Sequence, residues 1–197
     1  MIDYFYRRAR EWEVRSNTFR TFLHEIDYNW VKKDGKWTVG QIAAHLIQYH
    51  CLYFNLFDQI LDGSYKAPPK ARNIIYRTYY RVKYLRRSGP YNLKEYKTLP
   101  WLEPTKEEYS SQILVELEYN FKLLIQYLVA LEETLSTKKT IIACPLNKHR
   151  VYTLKTAFAI LISHSSRHML EISNIINACP SQLIKPIEMD PFLNGKL

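Results

Sequence analysis

Apolar residues recur at alternating spacings of three and four in one stretch of the sequence, and this pattern restricts the chain to helices packed side by side. The stretch covers three heptads, and its apolar residues are Leu114, Leu117, Phe121, Leu124, Leu128, Leu131 and Leu135. Such spacing is typical of a helix that packs nearly parallel to others in a bundle. Thr105 and Glu108 have the spacing of a capping box, which predicts that this helix begins after the prolines of LPWLEP.

Three further segments have the period of a helix. The first runs from about Arg7 to Trp30 and ends at the polar turn KKDGK. A second begins at the capping box of Thr38 and Gln41 and extends to Asp62-Gly63. The remaining one begins near Thr153 and ends at about Ala178, before Pro180.

Four amphipathic helices without a convincing strand pattern predict an all-α four-helix bundle, with residues 1–197 forming one domain. Short connections predict that helices one and two, and helices three and four, are antiparallel neighbours. The connection between helices two and three, residues 63–104, is much longer. Within it, the spacing of Ile75, Tyr79 and Val82 predicts one extra amphipathic helix around residues 71–87.

Composition places the chain among ordinary globular proteins, with 47% hydrophobic and 24% charged residues. No apolar region resembling a signal peptide follows the first residues, and the longest apolar run, AFAILI, is too short to span a bilayer. Cys51, Cys144 and Cys179 form no CxxC pair, which is typical of reduced thiols and predicts a cytoplasmic location. Phosphate-binding motifs rich in glycine are absent from the sequence.

The positive charge is concentrated in one segment. Residues 70–97 contain nine Lys or Arg and one acid, so they carry +8 of the net charge of +9. Arginine interleaved with tyrosine, as in RNIIYRTYYRVKYLRR, is one way to bind single-stranded nucleic acid or another anionic partner. We favour a crossover helix whose tyrosines pack on the bundle while its cations remain in water. Alternatively, these cations guide an anionic substrate to a nearby site. The candidates for contact with an anionic partner are Arg77, Arg81, Lys83, Arg86 and Arg87.

Three histidines are predicted to face the interior from two helices. His45 shares an apolar stripe with Ile42, and His164 and His168 share another on the fourth helix. Each buried imidazole that lacks a hydrogen bond costs about 1–3 kcal/mol, and one shared divalent cation would satisfy all three. A histidine pair alone is weak evidence, because buried histidines more often bond to a carbonyl or a hydroxyl. His50 lies about 140° around the helix from His45, so the two cannot face the same site.

Two motifs resemble those of a known family. WTVGQIAAHL, followed after a long gap by HSSRHMLEI, resembles the DinB-like superfamily of metal-binding four-helix bundles, and its branch of bacillithiol S-transferase-like and metal-dependent hydrolase proteins in particular. CPLNKHRVYTLKTAF also resembles the polar loop that precedes the fourth helix of that family. The resemblance is weak over helix one and absent over residues 66–100. It implies that His45, His164 and His168 bind one divalent ion, usually nickel or zinc, and that the protein is a homodimer.

The resemblance also implies an activity. It favours transfer of a low-molecular-weight thiol to an electrophilic substrate, with metal-dependent hydrolysis or a non-catalytic stress function as alternatives. Tyr49, His50 and Glu171 are candidates for lining or supporting the pocket. Glu171 replaces the glutamine or histidine common in the family, and it either orients His168 through a hydrogen bond or crowds the open side of the metal. Cys144-Pro145 replaces a common His-Pro pair.

Overall fold

A computed structural model of the protein describes residues 2–23, 25–31, 37–67, 74–88, 98–137 and 140–179, without the side chains of residues 25, 26, 76, 77, 84–88 and 137. The described chain is mostly helical, as predicted. It also contains one small sheet, which the sequence did not predict. Its helices are α1 (Ile2–Phe22), α2 (Val39–Leu61), α3 (Ile74–Ser88), α4 (Gln112–Ala130), α5 (Glu132–Thr137) and α6 (Leu154–Ala178). Its strands are β1 (Ile141–Cys144) and β2 (Asn147–Thr153), and short 3-10 helices span Glu25–Asn29 and Pro100–Leu102.

The four long helices surround one apolar core, but their order differs from the predicted one. α1 packs against α4 and α6, and α2 packs against the same two helices. Within the described ranges, α1 and α2 make few contacts with each other, and the same is true of α4 and α6. The prediction that consecutive helices are neighbours is therefore wrong. The connections after α1 and α4 contain a 3-10 helix and a hairpin respectively, and they are long enough to cross the core.

The heptad stripe lies in the core, as its spacing predicts. All seven of its apolar residues are buried. The helix is interrupted near Leu131, however, where the backbone leaves helical geometry and the short α5 begins.

The predicted capping box at Thr38 is present and positions α2. The Thr38 hydroxyl accepts from the Gln41 amide at 3.1 Å, and the Gln41 side chain accepts from the Thr38 amide at 3.1 Å. Gly40 in the first turn is fully buried under Tyr109, and a Cβ at Gly40 would lie 2.6 Å from the Tyr109 Cβ. This glycine therefore allows close contact between α2 and the segment before α4.

The second predicted capping box, at Thr105 and Glu108, is wrong. Residues 104–111 are not helical, and α4 begins at Gln112. The Asn29 side chain holds this segment instead, donating to the Tyr109 carbonyl at 3.0 Å and accepting from the Tyr109 amide at 2.8 Å. The two hydrogen bonds between Asn29 and Tyr109 are thus present where the spacing suggested a capping box of Thr105 and Glu108.

A two-stranded antiparallel hairpin precedes α6 where the sequence indicated only a polar loop. Ile141 pairs with Thr153 and Cys144 pairs with Asn147, with an irregularity after Ala143. The hairpin is anchored at Tyr152, which is fully buried and whose hydroxyl lies 2.7 Å from that of Tyr53 on α2. β1 is only four residues long, too short for its alternation to be recognised.

The extra helix of the crossover is present as α3, which packs against β2 and α6. Tyr80 is partly buried against the core, while Ile75, Tyr79 and Val82 are 79%, 56% and 44% exposed. The apolar stripe that predicted the helix therefore does not face the core. Among the described helices, none combines the length and apolar character that a membrane crossing requires.

Candidate metal centre

The three predicted ligand histidines meet where α2 packs against α6. His45 lies on the second turn of α2, after the capping box, and is 4% exposed. His164 and His168 lie one turn apart in the middle of α6, 9% and 3% exposed. One ring nitrogen from each lies within 4.8 Å of those of the other two. The sequence thus placed these residues correctly on one shared site.

Hydrogen bonds fix the ring orientation of two of the histidines. Nδ1 of His45 lies 2.9 Å from the carbonyl oxygen of Leu102, and Nδ1 of His168 lies 3.0 Å from a carboxylate oxygen of Glu171. Because a carbonyl and a carboxylate only accept, each Nδ1 carries the proton and each Nε2 keeps its lone pair. Glu171 thus makes the hydrogen bond to His168 that the first of its two predicted roles requires.

His164 differs from the other two because its ring lacks such a partner. Its Nδ1 is buried and has no hydrogen-bond partner among the residues that the structure describes. The Tyr49 ring stacks on the imidazole, with centroids 4.0 Å apart and planes at 21°. Leaving a buried polar nitrogen unsatisfied is costly, so this atom indicates a partner outside the described residues.

The wall of the site is aromatic. The Trp37 ring lies 4.9 Å from the His45 ring and 6.4 Å from the His168 ring, measured between centroids. Trp37 directly precedes the capping box, so the same local motif that begins α2 also places this side chain. Together with Tyr49, it gives the histidines an environment with little access for water.

Burial keeps all three imidazoles neutral near pH 7. Burial, and then the nearby His168, lowers the pKa of His45 from 6.5 to about 3. Burial likewise lowers the pKa of His164 far below its ordinary value, and lowers that of His168 despite the opposing effect of Glu171. Burial alone would raise the pKa of Glu171, but the hydrogen bond and charge of His168 outweigh it, and this pKa is lowered.

These residues fit a divalent metal ion. Nitrogens bound to one ion at about 2.1 Å in tetrahedral geometry lie about 3.4 Å apart, so rings whose nitrogens are within 4.8 Å need to move toward the ion by less than about 1 Å each. Fixed tautomers with free Nε2 lone pairs are what metal-binding histidines require, and a carboxylate or carbonyl on the other nitrogen is their usual support. A bound ion would give the His164 ring a polar partner at the nitrogen that faces the other two histidines.

His50 does not belong to this group, as its position around the helix predicts. Its Nδ1 donates to the side-chain oxygen of Asn120 on α4, and its Nε2 accepts from the Ser165 hydroxyl on α6 at 2.8 Å. Both ring nitrogens are satisfied by the chain, and the residue is fully buried. His50 therefore links α2 to α4 and α6 and does not line the histidine cluster.

The two basic crossover residues whose side chains the structure describes, Arg81 and Lys83, are not part of the histidine cluster. Arg81 and Lys83 are exposed on α3, and Lys83 lies over the Tyr79 ring of its own helix at 5.4 Å. The side chains of Arg77, Arg86 and Arg87 lie outside the described part of the structure. What is described of α3 agrees with a solvated face.

A separate cavity of about 390 Å³ lies between the second half of α2 and the hairpin. Leu52, Tyr65 and Lys148 are among its lining residues, and none of the three site histidines is. It therefore does not provide access to the histidine site.

The chain matches no protein-family model, no curated protein and no solved structure. The resemblance to the DinB-like superfamily thus remains a prediction from the residues themselves. The histidine cluster stands independently of it, because its geometry comes from the packing of α2 on α6.

Three contributors to the site were missed from the sequence. Leu102 acts through its carbonyl, which no side-chain pattern reveals. Trp37 lies directly before the capping box of the helix that carries His45, and this position is a signal in the sequence that the residue is close to the site. Arg167, between the two histidines of α6, has its guanidinium 3.4 Å from Nε2 of His168.

Proposed function

We propose that this protein binds one divalent metal ion, nickel or zinc, through His45, His164 and His168, and uses it to transfer a low-molecular-weight thiol to an electrophilic substrate. The proposal includes membership of the DinB-like superfamily, with α1, α2, α4 and α6 as its four-helix bundle and a homodimer as the assembly. It is supported by the packing of α1 and α2 on both α4 and α6.

The cluster of three ring nitrogens within 4.8 Å carries the proposal. Its donors are all imidazoles and come from two helices whose packing is independent of any ligand. Three nitrogen donors suit nickel or zinc better than magnesium or calcium, which prefer oxygen. Such a site leaves coordination positions open to another molecule.

Thiol transfer is favoured over hydrolysis by the position of Glu171. A divalent ion held by three neutral imidazoles retains its full charge and promotes deprotonation of a thiol or water bound to it. Hydrolysis would also benefit from a general base, and Glu171, the described carboxylate that contacts a site histidine, is already bonded to His168. Trp37 and Tyr49 supply apolar walls, which suit an organic electrophile.

Elemental analysis of the purified protein tests the metal site. We expect about one nickel or zinc ion per chain, lost in His45→Ala and in His164→Ala. His149→Ala is the matched control, because His149 lies exposed on β2. Loss of metal in His50→Ala with retention in His45→Ala would contradict the ligand assignment.

A thiol assay tests the activity. The metal-loaded protein is incubated with cysteine and monochlorobimane, and formation of the fluorescent thioether is followed. We expect a rate above that of the uncatalysed reaction, abolished by chelation and by His164→Ala but not by His149→Ala. A metal-loaded protein that hydrolyses p-nitrophenyl acetate but transfers no thiol would favour the hydrolase alternative.

A further inference from the structure

Arg167 places a positive charge at the histidine site. It lies on α6 between His164 and His168 and is partly buried. Its Nη2 is 3.4 Å from Nε2 of His168, which is longer than a normal hydrogen bond. The charge of Arg167 also contributes to lowering the pKa values of His45, His164 and Glu171, so it acts on the whole cluster.

This guanidinium has no acidic partner among the described residues. No described carboxylate lies within 4.0 Å of it, and Glu171, one turn further along α6, is bonded to His168. By contrast, the part-buried arginines Arg8 and Arg15 of α1 are both paired with Glu11. Partly buried arginines are commonly paired, because the guanidinium has five donors to satisfy.

A metal ion would release Arg167 from its only described polar contact. The lone pair of His168 Nε2 faces the guanidinium in this structure, and it is the lone pair that a metal would use. A cation and a guanidinium cannot share it. Binding of a metal would therefore leave the donors of Arg167 available to a molecule at the open side of the site.

We propose that Arg167 binds a carboxylate of the thiol held at this site, and that the preferred thiol therefore carries one carboxylate rather than a neutral end group. This inference rests on the proposed metal-dependent function. A planar guanidinium pairs with a carboxylate through two parallel hydrogen bonds. A divalent ion, the Arg167 guanidinium, the Glu171 carboxylate and a bound thiolate together carry a net charge of about +1, which one carboxylate balances and the two negative charges of a phosphate exceed.

The test compares two three-carbon thiols, one ending in a carboxylate and the other in a neutral hydroxyl group. The cobalt(II)-substituted protein is titrated with 3-mercaptopropionate and with 3-mercapto-1-propanol, and thiol binding is read from the thiolate-to-cobalt absorption band. We expect the wild type to bind the carboxylate thiol about 10-fold more tightly or better, and Arg167→Gln to lose that preference. Arg81→Gln, which removes an exposed charge from α3, is expected to keep it.

The carboxylate of 3-mercaptopropionate can also bind cobalt directly, and this effect is the same in all variants. The test therefore compares how much the preference for the carboxylate thiol changes from one variant to another. Cobalt affinity, measured by competition with a chelator, is expected to be unchanged or higher in Arg167→Gln, because a nearby positive charge is removed. A wild type that binds cobalt but does not distinguish the thiols, or a preference that persists in Arg167→Gln, overturns this inference alone. A wild type that binds no metal contradicts the proposed function and this inference together.

Discussion

The ring nitrogens of the four buried histidines show how one residue type serves two purposes in this core. His50 has both nitrogens bonded to Asn120 and Ser165, so the chain satisfies it completely. His45 and His168 have one nitrogen bonded to the protein, and His164 has a buried nitrogen without a described partner. A buried histidine whose two ring nitrogens are both hydrogen-bonded to the protein has a structural role. A buried histidine with a ring nitrogen that lacks such a bond is a candidate metal ligand.

Replacing Glu171 should weaken metal binding without unfolding the protein. Glu171→Ala removes the acceptor that orients His168, and losses of about 10–100-fold in metal affinity are usual for such partners. Glu171→Gln keeps an acceptor oxygen and should lose less. Zinc affinity measured by chelator competition provides the readout. Tighter binding in Glu171→Ala would show that the carboxylate crowds the metal instead.

His50 should make stability depend on pH in a defined window. Burial lowers its pKa from 6.5 to about 4, although the bond to Asn120 opposes the shift. Because the unfolded chain takes up the proton first, this contribution is complete above pH 6.5 and is lost as the pH falls from 6.5 to about 4. The loss amounts to about 3 kcal/mol.

Urea denaturation of wild type and His50→Gln at several pH values measures this contribution. The difference between the two free energies of unfolding should shrink as the pH falls through the window. The comparison cancels the titration of the remaining histidines, which is common to both proteins. A difference that is constant from pH 7 to pH 4 would show that His50 does not change its protonation on unfolding.

At the level of elements, helix α2 depends on a glycine in its first turn. Alanine normally stabilises a helix by about 1 kcal/mol relative to glycine. At Gly40 the added Cβ would lie 2.6 Å from the Tyr109 Cβ, so the expected sign is reversed. We expect Gly40→Ala to lower the free energy of unfolding by about 1–3 kcal/mol.

A double-mutant cycle identifies the cause of that loss. Asn29→Ala removes the two hydrogen bonds that hold Tyr109 over Gly40, so the segment can move away. The cost of Gly40→Ala should therefore be smaller in the Asn29→Ala background. Additive effects would mean that Asn29 does not fix the segment against α2.

Elements whose signals are local were predictable. The capping box at Thr38, the end of α2 and the whole of α6 are found where the sequence places them. Errors arose where a tertiary contact competes with a local preference. Asn29 holds residues 104–111 outside the helix despite a capping-box spacing, and the hairpin depends on the contact between Tyr152 and Tyr53.

The site was predictable to a similar extent. The clustering of the three candidate ligand histidines followed from their helix faces, and the position of His50 outside that cluster followed from its angle around α2. The carbonyl of Leu102 and the approach of Arg167 required knowledge of how the elements pack. The order of the helices around the core could not be predicted either. The connections are long enough for α1 and α2 to lie on opposite sides of the core as well as side by side.

For the whole molecule, metal binding should raise stability in a way that depends on the cluster. A ligand present at 100 times its Kd stabilises the folded state by about 2.7 kcal/mol. Nickel or zinc should therefore raise the Tm of the wild type and of His149→Ala, but not that of His164→Ala. Thermal denaturation with metal and with chelator measures the shift. An equal shift in His164→Ala would place the metal elsewhere.

The packing of α2 on α6 also sets when the site can exist during synthesis. His45 leaves the ribosome early, but its two partners follow more than a hundred residues later, at 164 and 168. A nascent chain that has exposed α1, α2 and α4 holds only one of the three nitrogens. Capture of an ion by the proposed site would therefore be a late event, and a bound ion would show that α6 has packed against α2.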